Sequence, residues 1–116
     1  MIVYNPYNEE LIKERINEAQ KILDSIPAKY CLISGSFLFK RDYRDIDIFV
    51  ISRTKKQINP INKKINIIVI DFNDLYSLFY HSVSKSCIAK NILPKKPLKA
   101  TIADYWNVVN EAIPII

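Results

Sequence analysis

The residues best equipped for chemistry fall in one stretch, from Leu32-Ile33-Ser34-Gly35-Ser36 to Asp45-Ile46-Asp47-Ile48-Phe49-Val50. Gly35 is the only glycine in 116 residues, and it stands where an apolar run stops and a serine follows. Glycine at such a place accepts φ > 0 and lets a ligand approach bare backbone. Asp45 and Asp47 alternate with isoleucines, so on a strand both carboxylates point to one face. Carboxylates two residues apart stand about 6–7 Å apart along a strand. Their oxygens can converge on a pair of divalent cations, which lie about 3.5–4 Å apart in two-metal sites. Hard oxygen donors favour Mg²⁺ or Mn²⁺ over zinc, and no His/Cys cluster competes for the role. Cations held this way bridge the phosphates of a nucleoside triphosphate. The N–H groups and the hydroxyl at Gly35-Ser36 would add donors for the same anion. Asp-x-Asp alone usually marks a solvated strand face, and Gly-Ser alone usually a turn. Their combination points to metal-assisted chemistry on a nucleotide.

The flanking sequence must position these groups. Asn5-Pro6 and Asn8-Glu9-Glu10 offer two alternative starts for a first helix. Its apolar stripe is Ile12, Ile16, Ala19, Leu23 and Ile26, and Pro27 ends it. Tyr30 to Ser34 reads as a strand buried on both faces, and Ser36 to Lys40 as a short helix or turn. The charged connection 40–44 leads to a second strand from Asp45 to about Ser52, with Asp45, Asp47 and Phe49 on one face. Arg53 to Lys64 reads as a basic loop, and Ile65 to Ile70 as a central, β-branched third strand. A helix is expected from about Asp74 through Val83, continuing toward Ile92, with Cys87 inside it. Pro94 and Pro97 break it before a last helix capped by Thr101, with Ile102, Tyr105, Trp106 and Val109 as its apolar face. This order predicts an α/β (α+β) fold, a small mixed sheet flanked by helices, in a single domain spanning 1–116.

Bulk properties bound the class. Hydrophobic residues at 49% and charged residues at 25% are ordinary for a globular domain, and exclude a disordered chain. The longest apolar runs are strand-sized, so no membrane span is expected. Met1-Ile2-Val3-Tyr4-Asn5-Pro6 lacks the basic and apolar regions of a signal peptide, and Cys31 and Cys87 read as buried free thiols. Both features predict a cytoplasmic protein. The net charge of +5 favours an anionic partner only mildly.

Ile33-Ser34-Gly35-Ser36, an eight-residue spacer and Asp45-Ile46-Asp47-Ile48 resemble the signature of the DNA polymerase β-type nucleotidyltransferase superfamily. The likeness is strongest to its minimal nucleotidyltransferase branch, and it covers about residues 8 to 75. The resemblance implies a nucleotidyltransferase-like α/β fold and transfer of a nucleotidyl group from a nucleoside triphosphate such as ATP to a hydroxyl acceptor. It makes Gly35 and Ser36 the triphosphate turn, and Asp45 and Asp47 the catalytic ligands of magnesium. It also implies a separate helical partner protein, as in a toxin–antitoxin pair.

The spacer departs from the family in carrying Phe37-Leu38-Phe39-Lys40 where an Ala-Arg-Gly-like segment is common. A second departure concerns the third carboxylate, usually found early in the next core strand, where this chain has Asn66. An amide can offer a neutral oxygen to a metal but cannot take the proton of an attacking hydroxyl. Asp71 could substitute only if the two strands pair antiparallel. Lys40, Arg41 and Arg44 lie between the motif's halves, where cations could steady phosphates. Lys55, Lys56, Lys63 and Lys64 make nucleic-acid binding conceivable, but without interleaved aromatics it is not favoured. His81 has no acid spaced to orient it and reads as a structural or surface residue. The alternative to catalysis is a nucleotide-binding or partner-docking module, antitoxin-like in role. Asn66 and the apolar ending Ile113-Pro114-Ile115-Ile116 motivate it.

Overall fold

A computed structural model gives the fold, and the residues described are 1–53 and 63–98. The elements are β1 (Ile2–Tyr4), α1 (Glu9–Ser25), β2 (Tyr30–Ser34), α2 (Ser36–Phe39), β3 (Ile46–Ser52), β4 (Ile65–Asp71), α3 (Leu78–Lys85) and β5 (Cys87–Ala89). A 3₁₀ turn at Phe72–Asp74 joins β4 to the approach to α3. The strands form one sheet in the order β1-β5-β2-β3-β4, a mixed sheet flanked by helices as expected. Every neighbouring pair is antiparallel except β3 and β4, which run parallel.

Of the two helix starts, the chain uses the second. The Asn8 side chain accepts from the Leu11 N–H at 3.1 Å, and Glu9 and Glu10 fill the first turn, where the helix dipole favours acids. Ile26 is extended at φ −91°, ψ 124°, the conformation that a following proline imposes, so α1 stops there. Ile12, Ala19, Leu23 and Ile26 pack with Phe37 and Leu38 of α2 over Cys31, Ile33, Ile48, Val50 and Ile88 of the sheet. On the opposite face, Leu32, Phe49, Ile51, Ile70 and Ala89 meet Leu75, Tyr80 and Leu93. β2 is thus buried on both faces, as its unbroken apolar run predicts.

Three expectations are corrected. β4 lies at the sheet edge and not at its centre, and Ile68 is 41% exposed. β-Branched composition reports a fit to a pleated, half-buried surface, which an edge strand also provides. The helix expected from Asp74 to Ile92 is shorter. It starts where the Ser77 hydroxyl accepts from the Tyr80 N–H at 3.2 Å, and it ends at Lys85. Cys87 is therefore in β5, between β1 and β2, with Cys87, Ile88 and Ala89 all buried. Two strands of three residues, β1 and β5, are additions to the expected set. The expected last helix, the apolar C-terminal ending and most of the basic loop, including Lys55 and Lys56, lie outside the described residues. Among the described residues no helix is long and apolar enough to cross a membrane.

Candidate functional site

β2 and β3 bring the two halves of the motif together. Their antiparallel register sets Ser34 opposite Asp47, so the turn that leaves β2 lies beside the start of β3. Gly35, at φ 92° and ψ −157°, occupies a region open in practice to glycine alone. A Cβ at this position would stand 3.1 Å from Asp47 Oδ2. The one glycine of the chain therefore answers two demands, a backbone conformation and the close passage of a carboxylate. The Leu38 N–H donates to Gly35 O at 3.0 Å and the Lys40 N–H to Ser36 O at 2.8 Å, which closes the turn as α2.

Gly35, Ser36, Lys40, Arg44, Asp45 and Asp47 all line one cavity of about 590 Å³. That volume is within the range of small-molecule sites, roughly 300–1,000 Å³. Asp45 is exposed and Asp47 half-buried, and neither forms an ion pair among the described residues, where the pair between Arg41 and Glu14 is the one present. Arg41, a phosphate candidate by sequence, is thus turned to α1 and is not among the cavity residues.

The third position is settled by strand direction. Parallel pairing sets Asn66 opposite Asp47, and the Asn66 Nδ2 group donates to Asp47 Oδ1 at 3.3 Å. The same pairing sets Asp71 opposite Ser52, five residues along the strand and about 16 Å from the Asn66 position. Asp71 instead accepts from the Asn73 N–H at 2.9 Å and caps the 3₁₀ turn. The antiparallel arrangement that Asp71 required does not occur. Among the described residues no group of three or more His, Cys, Asp or Glu side chains is placed to hold a metal. Of the sequence-predicted metal candidates, those brought together are therefore the carboxylates of Asp45 and Asp47 and the amide of Asn66.

Several cavity residues carry no signal in the sequence. α3 and the residue after it supply Ser82, Lys85 and Ser86, and the loop before α1 supplies Tyr7. Lys85 joins Lys40 and Arg44 as a third cation, matching the three carboxylates of Asp42, Asp45 and Asp47. Contacts distant in sequence bring these residues there, among them the hydrogen bonds that join Asn5 to Lys85 and Ser86.

The remaining candidates have other roles. His81 Nε2 is 2.8 Å from the Lys96 carbonyl, on the side of α3 that faces a second cavity. Burial pushes the Cys31 thiol up to about 11 and the Cys87 thiol up to about 12, so neither is a nucleophile at neutral pH. Lys63 and Lys64 are exposed before β4. No protein-family model, curated protein or solved structure matches this chain.

Proposed function

We infer that this chain binds a nucleoside triphosphate with magnesium at the Gly35-Ser36 turn and acts as a nucleotidyltransferase on a hydroxyl acceptor. The observation that carries this reading is the convergence of Gly35, Ser36, Lys40, Arg44, Asp45 and Asp47 on one cavity. The donor set fits Mg²⁺ or Mn²⁺. Such ions bind one or two carboxylates and complete their shells with phosphate oxygens and water, and no side chain separates Asp47 from the turn. Asp45 and Asp47 would hold the metal, which when bound neutralises the triphosphate and the departing pyrophosphate.

The chain's own groups do the rest. The backbone N–H groups and the hydroxyl of Ser36 hold phosphate oxygens, and Lys40, Arg44 and Lys85 lend fixed positive charge. The acceptor hydroxyl oxygen bonds to the α-phosphorus as the bond to the β-phosphate oxygen breaks and pyrophosphate leaves. The hydroxyl proton passes to a carboxylate of the Asp pair or to water, since the Asn66 amide cannot accept it. The described residues form one sheet with its helices and contain no second module for an acceptor. The family resemblance accordingly favours a helical partner protein, in the manner of a toxin–antitoxin pair. A nucleotide substrate and two free, buried thiols agree with a cytoplasmic chain.

Titration of Mg-ATP into the wild type and into Asp45→Asn and Asp47→Asn tests the site. Affinity should fall at least tenfold in each variant, and equal binding in all three overturns the metal assignment. One observation favours a second reading, a module that binds nucleotide without turnover: Asn66 occupies the third position and hydrogen-bonds Asp47. Incubation with labelled nucleoside triphosphates, hydroxyl acceptors and Mg²⁺ separates the two. Transfer of label that Asp45→Asn abolishes establishes catalysis, and binding without transfer establishes the module.

A further inference from the structure

Tyr7 is 67% exposed at the rim of the same cavity, an unusual position for a large aromatic in a loop held at both ends. At one end, Asn5 takes a positive φ of 41°, its Nδ2 donates to the Lys85 carbonyl at 2.8 Å, and its own carbonyl accepts from the Ser86 hydroxyl at 2.7 Å. At the other end, Asn8 is locked as the cap of α1. Only Pro6 and Tyr7 separate the two anchors, so Tyr7 is presented in place before any ligand arrives. Its ring meets Phe39 edge to face, with centroids 5.3 Å apart and planes at 80°. Two rings at right angles make a corner. A planar ligand lying flat on one ring meets the other at its edge, and both geometries are favourable for π systems.

Phe39 is the last residue of α2, whose first residue is Ser36 of the proposed triphosphate turn, and Lys40 follows it. The aromatic corner and the anion-binding turn are thus two ends of one short element on one cavity wall. We propose that Tyr7 and Phe39 form the nucleobase shelf of this cavity, on which a purine or pyrimidine stacks while its phosphates lie along Gly35-Ser36. The shelf rests on the nucleotide reading above and extends it to residues outside the Gly-Ser and Asp-x-Asp motif. It recognises a π face and not a hydrogen-bonding edge, so it tolerates several bases. Because the anchored loop loses little freedom on binding, the stacking energy is retained in the affinity.

The test compares ATP with inorganic tripolyphosphate, each titrated with Mg²⁺ into the wild type, Tyr7→Ala and Tyr7→Phe. Stacking of one base on one aromatic side chain is worth about 5- to 150-fold in affinity. Tyr7→Ala should therefore weaken ATP by at least fivefold and leave tripolyphosphate unchanged, while Tyr7→Phe should bind ATP like the wild type. Tyr7 is exposed and makes neither anchor bond, so the variants keep the fold. If the wild type binds ATP and Tyr7→Ala binds it equally well, the shelf is overturned and the nucleotide reading stands. If the wild type binds neither ligand, the nucleotide reading is overturned and the shelf falls with it. Equal losses for ATP and tripolyphosphate in Tyr7→Ala also overturn the shelf, because they assign Tyr7 to the phosphate site.

Discussion

Replacing Gly35 by alanine probes the turn of the proposed site. Two costs arise from different causes. At φ 92° and ψ −157° the backbone lies in a region that a Cβ makes unfavourable, at about 1–3 kcal/mol. The new Cβ also falls 3.1 Å from Asp47 Oδ2, which must yield by a few tenths of an ångström. Asp47 is held by the Asn66 amide, so displacement turns it toward a poorer rotamer at about 0.5–1.5 kcal/mol. Gly35→Ala should therefore lose about 3 kcal/mol by urea denaturation, and its melting temperature should fall by about 10 °C or more. A double-mutant cycle with Asp47→Ala separates the two costs. The backbone cost does not involve Asp47 and persists in both backgrounds, whereas the contact cost vanishes when the carboxylate is removed. Gly35→Ala should therefore cost about 0.5–1.5 kcal/mol less in the Asp47→Ala background than in the wild type. A loss below about 0.5 kcal/mol in the wild-type background refutes the account of the Gly35 conformation. Equal losses in both backgrounds refute the close passage of the carboxylate.

Two further substitutions test what supports and completes the site. The Arg15 guanidinium lies 4.8 Å from the Phe37 ring centroid and 4.3 Å from that of Tyr43, and its Nη2 donates to the Arg41 carbonyl at 3.0 Å. Arg15→Ala should lose about 2 kcal/mol by urea denaturation and weaken Mg-ATP binding, because these contacts hold the segment that carries Lys40 and Arg44. Unchanged nucleotide affinity in the folded variant would separate Arg15 from the site. Asn66→Asp sets a third carboxylate beside Asp47, whose Oδ1 is now 3.3 Å from the Asn66 amide. Without divalent ions it should destabilise the fold by about 1 kcal/mol through like-charge repulsion. Mg²⁺ should restore that loss and raise label transfer; no recovery with Mg²⁺ would count against a metal at this position.

Much of the local structure was legible because it depends on residues close together in the chain. Asp45-Ile46-Asp47-Ile48 reads as a strand with two carboxylates on one face, and both line the cavity. Pro27 stops α1, the apolar run at Tyr30–Ser34 is the central strand, and Gly35 is a turn with positive φ. The misreadings all concern elements whose identity depends on distant partners. Cys87-Ile88-Ala89 is too short to show a period, and it is a strand because β1 and β2 pair with it. Ile65 to Ile70 reads as central because β-branched residues suit any pleated surface, yet it forms the edge. Tyr7 and Lys85 reach the site through Asn5, which ties the first loop to the end of α3 across 80 residues of sequence.

By itself the sequence suggested a kind of chemistry to look for: a lone glycine before a serine, two aspartates in alternation, and an asparagine where the family it resembles usually carries a third acid. Tertiary structure alone decided which of these groups meet. A parallel and an antiparallel pairing of β3 with β4 satisfy the same alternation of side chains, but they bring opposite ends of β4 to Asp47. The parallel pairing delivers Asn66 and sends Asp71 to the far end. Strand direction is set by packing and hydrogen bonds across the whole sheet, which no local pattern encodes. For that reason the make-up of the site's third position could be posed from the sequence but answered only by the fold.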